Sequence, residues 1–202
     1  MAVVIYRMRL NMLLIKNIPE LYDLVESFND FEQQIISLST NMGLFLQDFY
    51  ADHVAIRCNQ IETAERWRQG LTKCGTLLSE KVFNGRPVCL FKLNKPLAIA
   101  GLKIDCVEMP YPKLNRRYPQ ESWEHIELVV PAAEHEFHQK ALSFISDEGL
   151  TMKGVKIKCV NAKKVAGQLP NPTVEITDGI VTIKFHPYSI QQVIRSELAS
   201  EV

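Results

Sequence analysis

The chain has 202 residues, and 23 Lys and Arg balance 23 Asp and Glu, so the formal net charge is zero with His neutral. That balance removes the sequence-independent pull toward nucleic acid or an anionic membrane surface, while 47% hydrophobic and 23% charged residues exclude global disorder. No apolar run approaches the ~18 residues of a membrane span, and the five cysteines (Cys58, Cys74, Cys89, Cys106, Cys159) form no CxxC pair, which argues against a disulfide framework or zinc knuckle and fits a cytoplasmic protein.

Met1 to Ile15 is apolar but broken by Arg7 and Arg9, and it lacks a small-residue cleavage site, so no export signal is read. Met1 and Met12 are both candidate starts. From Asn17 the pattern turns helical. Pro19 sits near the first turn, Leu21, Leu24, Val25, Phe28, Phe31, Ile35 and Leu38 recur at three- and four-residue spacing, and Gly43 offers a stop. Asp52 to Cys58 then alternates as a strand, with His53, Ala55 and Arg57 on one face and Val54, Ile56 and Cys58 on the other. Gln60 to Cys74 reads as a helix burying Ile61, Ala64, Trp67 and Leu71. Leu77 to Phe83 and Pro87 to Leu93 flank Asn84-Gly85, a hairpin signal, and Leu102 to Met109 adds a strand.

A proline-rich link, Pro110 to Gln120, is expected to hold no element. Beyond it the order β-α-β-β-β comes a second time: Trp123 to Val130, a helix from Ala133 to Glu148 ended by Gly149, then Val155 to Val160, Thr173 to Thr177 and Val181 to Phe185. The domain expectation is an N-terminal helical extension over 1–49 and one domain over 50–202. That domain divides into module one (50–109), a linker (110–122), module two (123–190) and a C-terminal helix or tail (190–202). Register supports the repeat. When His53 is laid on His125, Val54 falls on Ile126, Ile56 on Leu128 and Cys58 on Val130. Glu108 falls on His186 and Val107 on Phe185 if a few extra residues are taken up near 167–172.

The repeat places His53, His125, Glu108 and His186 at corresponding positions. If each unit curls into a half-barrel and the halves pair, these side chains converge as ligands for Zn²⁺, Fe²⁺, Ni²⁺ or Mn²⁺. The plainer reading is that each is a hydrogen-bonded or surface residue. His135 and His138 read as a solvated helix face, Glu124 as pointing away from His125, and all five cysteines as small core residues. By the period-two rule Arg57 shares a face with His53, Glu127 with His125, and Lys184 with His186. Two cations and a carboxylate suit a small anionic ligand, with Glu127 as a general base. The alternative is an Arg57–Glu127 or Lys184–Glu127 ion pair with no catalytic duty. Arg86 follows the hairpin turn and is placed toward the mouth of the expected cup.

The paired units, with DHVAIRC and WEHIELVV as first strands and VEMPYP and KFHPYS closing them, resemble the vicinal oxygen chelate superfamily of glyoxalase I, extradiol dioxygenases and bleomycin-resistance proteins. ADHVAIRC, TAERWRQGL, LLSE, NGRPVCLFKL, RYP, WEHIELV, SDEGL, LPNPT and IKFHP are similar to the bacterial YecM family within it. The resemblance implies an α+β fold of two paired βαβββ modules forming a glyoxalase/dioxygenase-like curved sheet, or cup, preceded by the N-terminal helical region. It also implies metal ligands at His53, Glu108, His125 and His186. A glyoxalase-like enzyme would have Glu at the last position, so His186 departs from that pattern. The resemblance leaves open a metal-dependent isomerase, lyase or dioxygenase, and a resistance-type binding protein without turnover. A third alternative is an interaction protein using the N-terminal helix as its surface. One chain carries both modules, which favours a monomer.

Overall fold

The computed structural model describes residues 15–83, 85–161 and 168–200. The candidate starts Met1 and Met12, Asn84 of the hairpin, and part of the 167–172 insertion lie outside these residues. A single 3-10 turn at Pro19–Leu21 leads into α1 (Tyr22–Asn41); Pro19, lacking an N–H, suits an entry position where that donor has no partner to find. The first βαβββ set is β1 (Tyr50–Arg57), α2 (Ile61–Cys74), β2 (Gly75–Phe83), β3 (Arg86–Ile99) and β4 (Leu102–Pro110). The second is β5 (Ser122–Val129), α3 (Glu134–Leu142), α4 (Asp147–Leu150), β6 (Lys156–Val160), β7 (Thr173–Thr177) and β8 (Thr182–His186), after which α5 (Ile190–Ser200) follows. The fold is α+β with the expected repeat of modules and the expected N-terminal helix. Among the described residues no helix is long and apolar enough to cross a membrane.

The chain divides into two compact units: the described residues up to Glu32 together with His53–Glu124, and Gln33–Asp52 together with the described residues from His125 onward. In the first, the strand order is β2-β3-β4-β1, with β1 and β4 parallel and the other pairs antiparallel. Its core is built on two indoles. Trp67 is 0% exposed and its Nε1 donates to Asp23 at 3.0 Å. Trp123 donates to the Leu24 carbonyl at 2.7 Å, meets Phe28 edge-on and stacks on Phe31. Each indole therefore buries its apolar body while its one donor is satisfied. Leu21, Leu24, Phe28 and Phe31 are buried as their spacing requires.

The second unit repeats the order as β5-β8-β7-β6, again with one parallel pair, β5 with β8. Phe185 is fully buried and packs against Phe49 and Phe144. One expectation fails here: Ala133 to Glu148 is not a continuous helix. After Leu142 the backbone tightens, and the Ser146 N–H leaves to bond the Met42 carbonyl at 2.9 Å. Ser146 then caps a new turn by accepting from the Gly149 N–H at 3.0 Å. Gly149 is thus inside α4 rather than a stop, and it is glycine because a Cβ would stand 2.9 Å from Met42 Cα.

The reading of every cysteine as a core residue also needs correction. Cys58, Cys89 and Cys106 are buried, but Cys74 is half-buried and Cys159 exposed, on an edge strand whose side chains lie largely in solvent. Burial pushes the Cys58 thiol up to about 12, with the Glu121 charge adding to it. It pushes Cys89 up to about 11. Both stay protonated and serve as packing groups.

Candidate functional site

Each unit buries a polar cluster around the histidine near the start of its first strand. In the first unit His53 is 1% exposed, and its Nε2 stands 3.8 Å from Glu108 Oε2. The parallel register explains the meeting: Ala55 lies opposite Glu108, so Glu108 projects from the face that His53, Ala55 and Arg57 share. Arg57 Nη1 reaches Glu108 Oε1 at 3.2 Å and its Nη2 reaches Glu124 Oε2 at 3.2 Å. Burial works against the Arg57 charge, but the Glu108 and Glu124 carboxylates outweigh it and hold its pKa above the ordinary arginine value. Glu124, set aside on the sequence, is therefore the second counter-charge of this guanidinium; Arg57 pairs with Glu108 and Glu124, where the expectation had been Glu127.

In the second unit His125 is 0% exposed and Glu127 7%. His125 Nε2 lies 3.0 Å from Glu127 Oε1. Lys184 Nζ lies 3.1 Å from His125 Nε2 and 3.3 Å from Glu127 Oε1, so the Lys184–Glu127 ion pair is present. His186, 0% exposed, stands between two carboxylates: Nδ1 is 3.6 Å from Glu127 Oε2, and Nε2 is 3.5 Å from Asp52 Oδ2.

Sheet register corrects the repeat alignment. Glu127 pairs with Lys184, and His186 pairs with Val129. Glu127 holds the place in β5 that Ala55 holds in β1, and Ala55 pairs with Glu108. Lys184, not His186, therefore takes the place of Glu108 in the second unit, and His186 lies two residues farther along. The extra residues inserted before β7 made the two alignments indistinguishable in sequence.

Asp52 is the residue that sequence reasoning missed. It begins the strand face that continues with Val54, Ile56 and Cys58, and one carboxylate at the head of an apolar face is the signal that would have found it. Arg86, placed at the mouth of the cup by expectation, is instead tied to the linker through Nη1, which donates to the Tyr111 carbonyl at 3.1 Å and to Tyr118 Oη at 3.2 Å. His135 is exposed as expected, and His138 Nε2 lies 3.1 Å from the Val160 carbonyl.

The donors suit a borderline divalent ion. Imidazole nitrogen and carboxylate oxygen are the ligands that Zn²⁺, Fe²⁺, Ni²⁺ and Mn²⁺ share.

Residues 20–197 match the YecM protein family. "Protein YecM" of Escherichia coli (strain K12) is 45% identical over 182 residues, spanning 90% of this chain and 96% of that protein. An uncharacterized protein of Haemophilus influenzae (strain ATCC 51907 / DSM 11121 / KW20 / Rd) is 37% identical over 170 residues, 82% of this chain and 88% of its own. A solved structure described as the structural-genomics protein EC4020 is 44% identical, covers 91% of this chain and 96% of its own, and superposes with a TM-score of 0.84.

Proposed function

The chain belongs to the YecM family, and on that premise we propose that it is a metal-binding protein of the vicinal oxygen chelate type, acting as an isomerase or lyase on a small anionic substrate that chelates through oxygen. The metal donors in this proposal are His53, Glu108, His125 and His186. The observation that carries it is the same in both units: a buried imidazole near the start of the first strand stands beside a carboxylate, at 3.8 Å for His53–Glu108 and 3.0 Å for His125–Glu127. Buried groups of this kind are rarely kept without a partner that balances their desolvation.

A bound divalent ion would supply Lewis acidity toward the substrate's oxygens. The chain's own residues do the rest. Glu127 is the proton carrier: its Oε1, 3.3 Å from Lys184 Nζ and 3.0 Å from His125 Nε2, is a buried carboxylate oxygen held in place to accept a proton. Arg57 and Lys184 give the substrate's negative charge a favourable field.

The test is metal analysis of protein purified without a His tag. Stoichiometric Zn, Fe, Ni or Mn is expected, and it is expected to disappear in His53→Ala and in His125→Ala; protein that takes up none of these ions on reconstitution sinks the reading. The loaded protein is then screened for isomerisation of keto acids and thiol adducts, with O₂ consumption on catechols marking the oxidoreductase outcome.

One observation favours a second reading, a binding protein without turnover. Lys184 Nζ already engages His125 Nε2 and Glu127 Oε1, and an ammonium on those atoms serves as a resident cation. Ligand uptake without turnover, unchanged by chelators, would select it.

A further inference from the structure

Four of the described arginines in the first unit are at least half-buried, and three of them meet carboxylates. Arg57 has Glu108 and Glu124, Arg66 has Asp23, and Arg68 has Glu80. Arg86, at the start of β3, meets none among the described residues. Its Nη1 donates to the Tyr111 carbonyl at 3.1 Å and to Tyr118 Oη at 3.2 Å, while its Nε is buried without a partner. The Cys58 thiol senses the charges of both Arg86 and Glu121, but Glu121 is committed elsewhere: Oε1 accepts the Asn59 and Gln60 N–H groups and Oε2 the Thr63 hydroxyl. A half-buried guanidinium whose contacts are both neutral is missing the counter-charge that burial calls for.

The planar guanidinium divides its donors between edges. Nη1 lies on the side of Cδ, whereas Nε and Nη2 form an edge whose two parallel N–H bonds match two oxygens of a carboxylate or phosphate. The linker holds Nη1, and the unpartnered Nε belongs to the other edge. Alternation puts Arg86 on the face of Val88 and Leu90, and Leu90 lies opposite Glu108. Arg86 therefore starts from the face that carries Glu108, four residues away along β3, an offset of roughly 13 Å. A second cation stands near: the Arg116 guanidinium is 5.1 Å from the centroid of the Tyr118 ring.

We propose that Arg86 is an anion receptor: its Nε–Nη2 edge takes a carboxylate or phosphate group while Tyr111 and Tyr118 hold the guanidinium from the other side. The anion site needs no metal. That the anion belongs to the substrate rests on the function proposed above, and it narrows the substrate class. Arg57, in contact with Glu108, already has its charge met, so the substrate's own charge sits on a tail that reaches Arg86, remote from the chelating oxygens.

The test uses the whole chain, treated with chelator, and two probes, inorganic phosphate and acetate. Each is titrated at constant ionic strength while the arginine ¹H–¹⁵Nε correlations are followed. A saturable movement of the Arg86 resonance is expected, with those of Arg66 and Arg68 still because Asp23 and Glu80 already hold them; the probe that saturates at lower concentration identifies the group. In Arg86→Lys, which keeps the charge but not the fork, affinity read from the Val88 and Tyr118 amide shifts is expected to fall about tenfold. An Arg86 resonance that ignores both anions, or moves only in step with those of Arg66 and Arg68, overturns the proposal, as does undiminished affinity in Arg86→Lys. If that variant does not fold, the wild-type titration decides alone. A separate Zn²⁺ titration tells the two readings apart. Protein that takes up no ion yet moves Arg86 with phosphate or acetate keeps the receptor and loses the chelating function; protein that takes up the ion while Arg86 stays inert does the reverse.

Discussion

The two halves carry the same three kinds of group with the charges exchanged between strands. In the first, the acid is on the last strand (Glu108) and the cation on the opening strand (Arg57). In the second, the acid is on the opening strand (Glu127) and the cation on the last (Lys184). What both keep is the imidazole and a local balance of charge, which is what burial demands of ionised groups. The halves differ in their access to water. Glu108 and Glu124 retain 23% and 30% of their side-chain exposure, whereas Glu127 retains 9% and Asp52 2%. Charge removal is therefore expected to cost more in the second half.

The largest expected effect is at Glu127. Glu127→Ala leaves the Lys184 ammonium and two imidazoles without their shared carboxylate, a loss of about 3–5 kcal/mol as for other broken buried pairs, read by urea unfolding. A loss below about 1 kcal/mol would mean that water or rearrangement replaces Glu127, and the contrast between halves would collapse. Arg57→Met is the counterpart. It strips Glu108 and Glu124 of their common cation, but both reach solvent, so about 1–3 kcal/mol is expected. An Arg57→Met loss equal to that of Glu127→Ala would show that exposure does not set the difference.

The strand pattern was legible because the apolar side chains recur with period two: Val54, Ile56 and Ile126, Leu128 announce the repeat directly, although both opening strands bury their polar face as well. The His53–Glu108 meeting was legible for the same reason, once β1 and β4 are taken as parallel neighbours. The partners of the second cluster were not. A two-residue slide of β8 along β5 keeps every side chain on its own face, so sequence alternation cannot distinguish Lys184 from His186 as the residue across from Glu127. The break after Leu142 was hidden because it depends on Met42, remote in sequence, accepting the Ser146 N–H.

Helix entry sharpens the same contrast at a smaller scale. The second half caps α5 mainly from within, through Ser189 and Gln192, with Asp52 accepting the Ile190 N–H from the first strand. The first half caps α2 from afar: Glu121, beyond the proline-rich link, accepts from the Asn59 and Gln60 N–H groups at 2.6 and 2.9 Å and from Thr63 Oγ1 at 2.9 Å. Glu121→Ala should cost about 1 kcal/mol and loosen the link with it, since Asn59 is also bonded to Tyr118 in both directions. Faster amide exchange is expected at both Asn59 and Tyr118; exchange confined to Asn59 and Gln60 would show that the link is held independently of the cap.

The smallest expected effect is an acid-side pH dependence assigned to two carboxylates of the first half, with opposite signs. At Asp23, burial raises the pKa, but the Arg66 and Trp67 hydrogen bonds outweigh it and hold the folded value below the ordinary one. Its contribution is present above the unfolded pKa of ~3.9 and is lost as pH falls through the folded value. At Glu32 burial wins over the hydrogen bond from the Ala100 N–H, and the folded pKa is raised. Ionised Glu32 therefore costs stability, and that cost is relieved as pH falls through the raised value toward ~4.3. Acidification from neutrality should first bring a slight gain and then a loss. Asp23 is partly exposed, so its effect is expected to stay within about 1 kcal/mol. Denaturant midpoints between pH 3 and 7 check the assignment. Glu32→Gln should remove the early gain and Asp23→Asn should blunt the later loss. If Glu32→Gln instead left the gain in place, the group responsible would lie elsewhere.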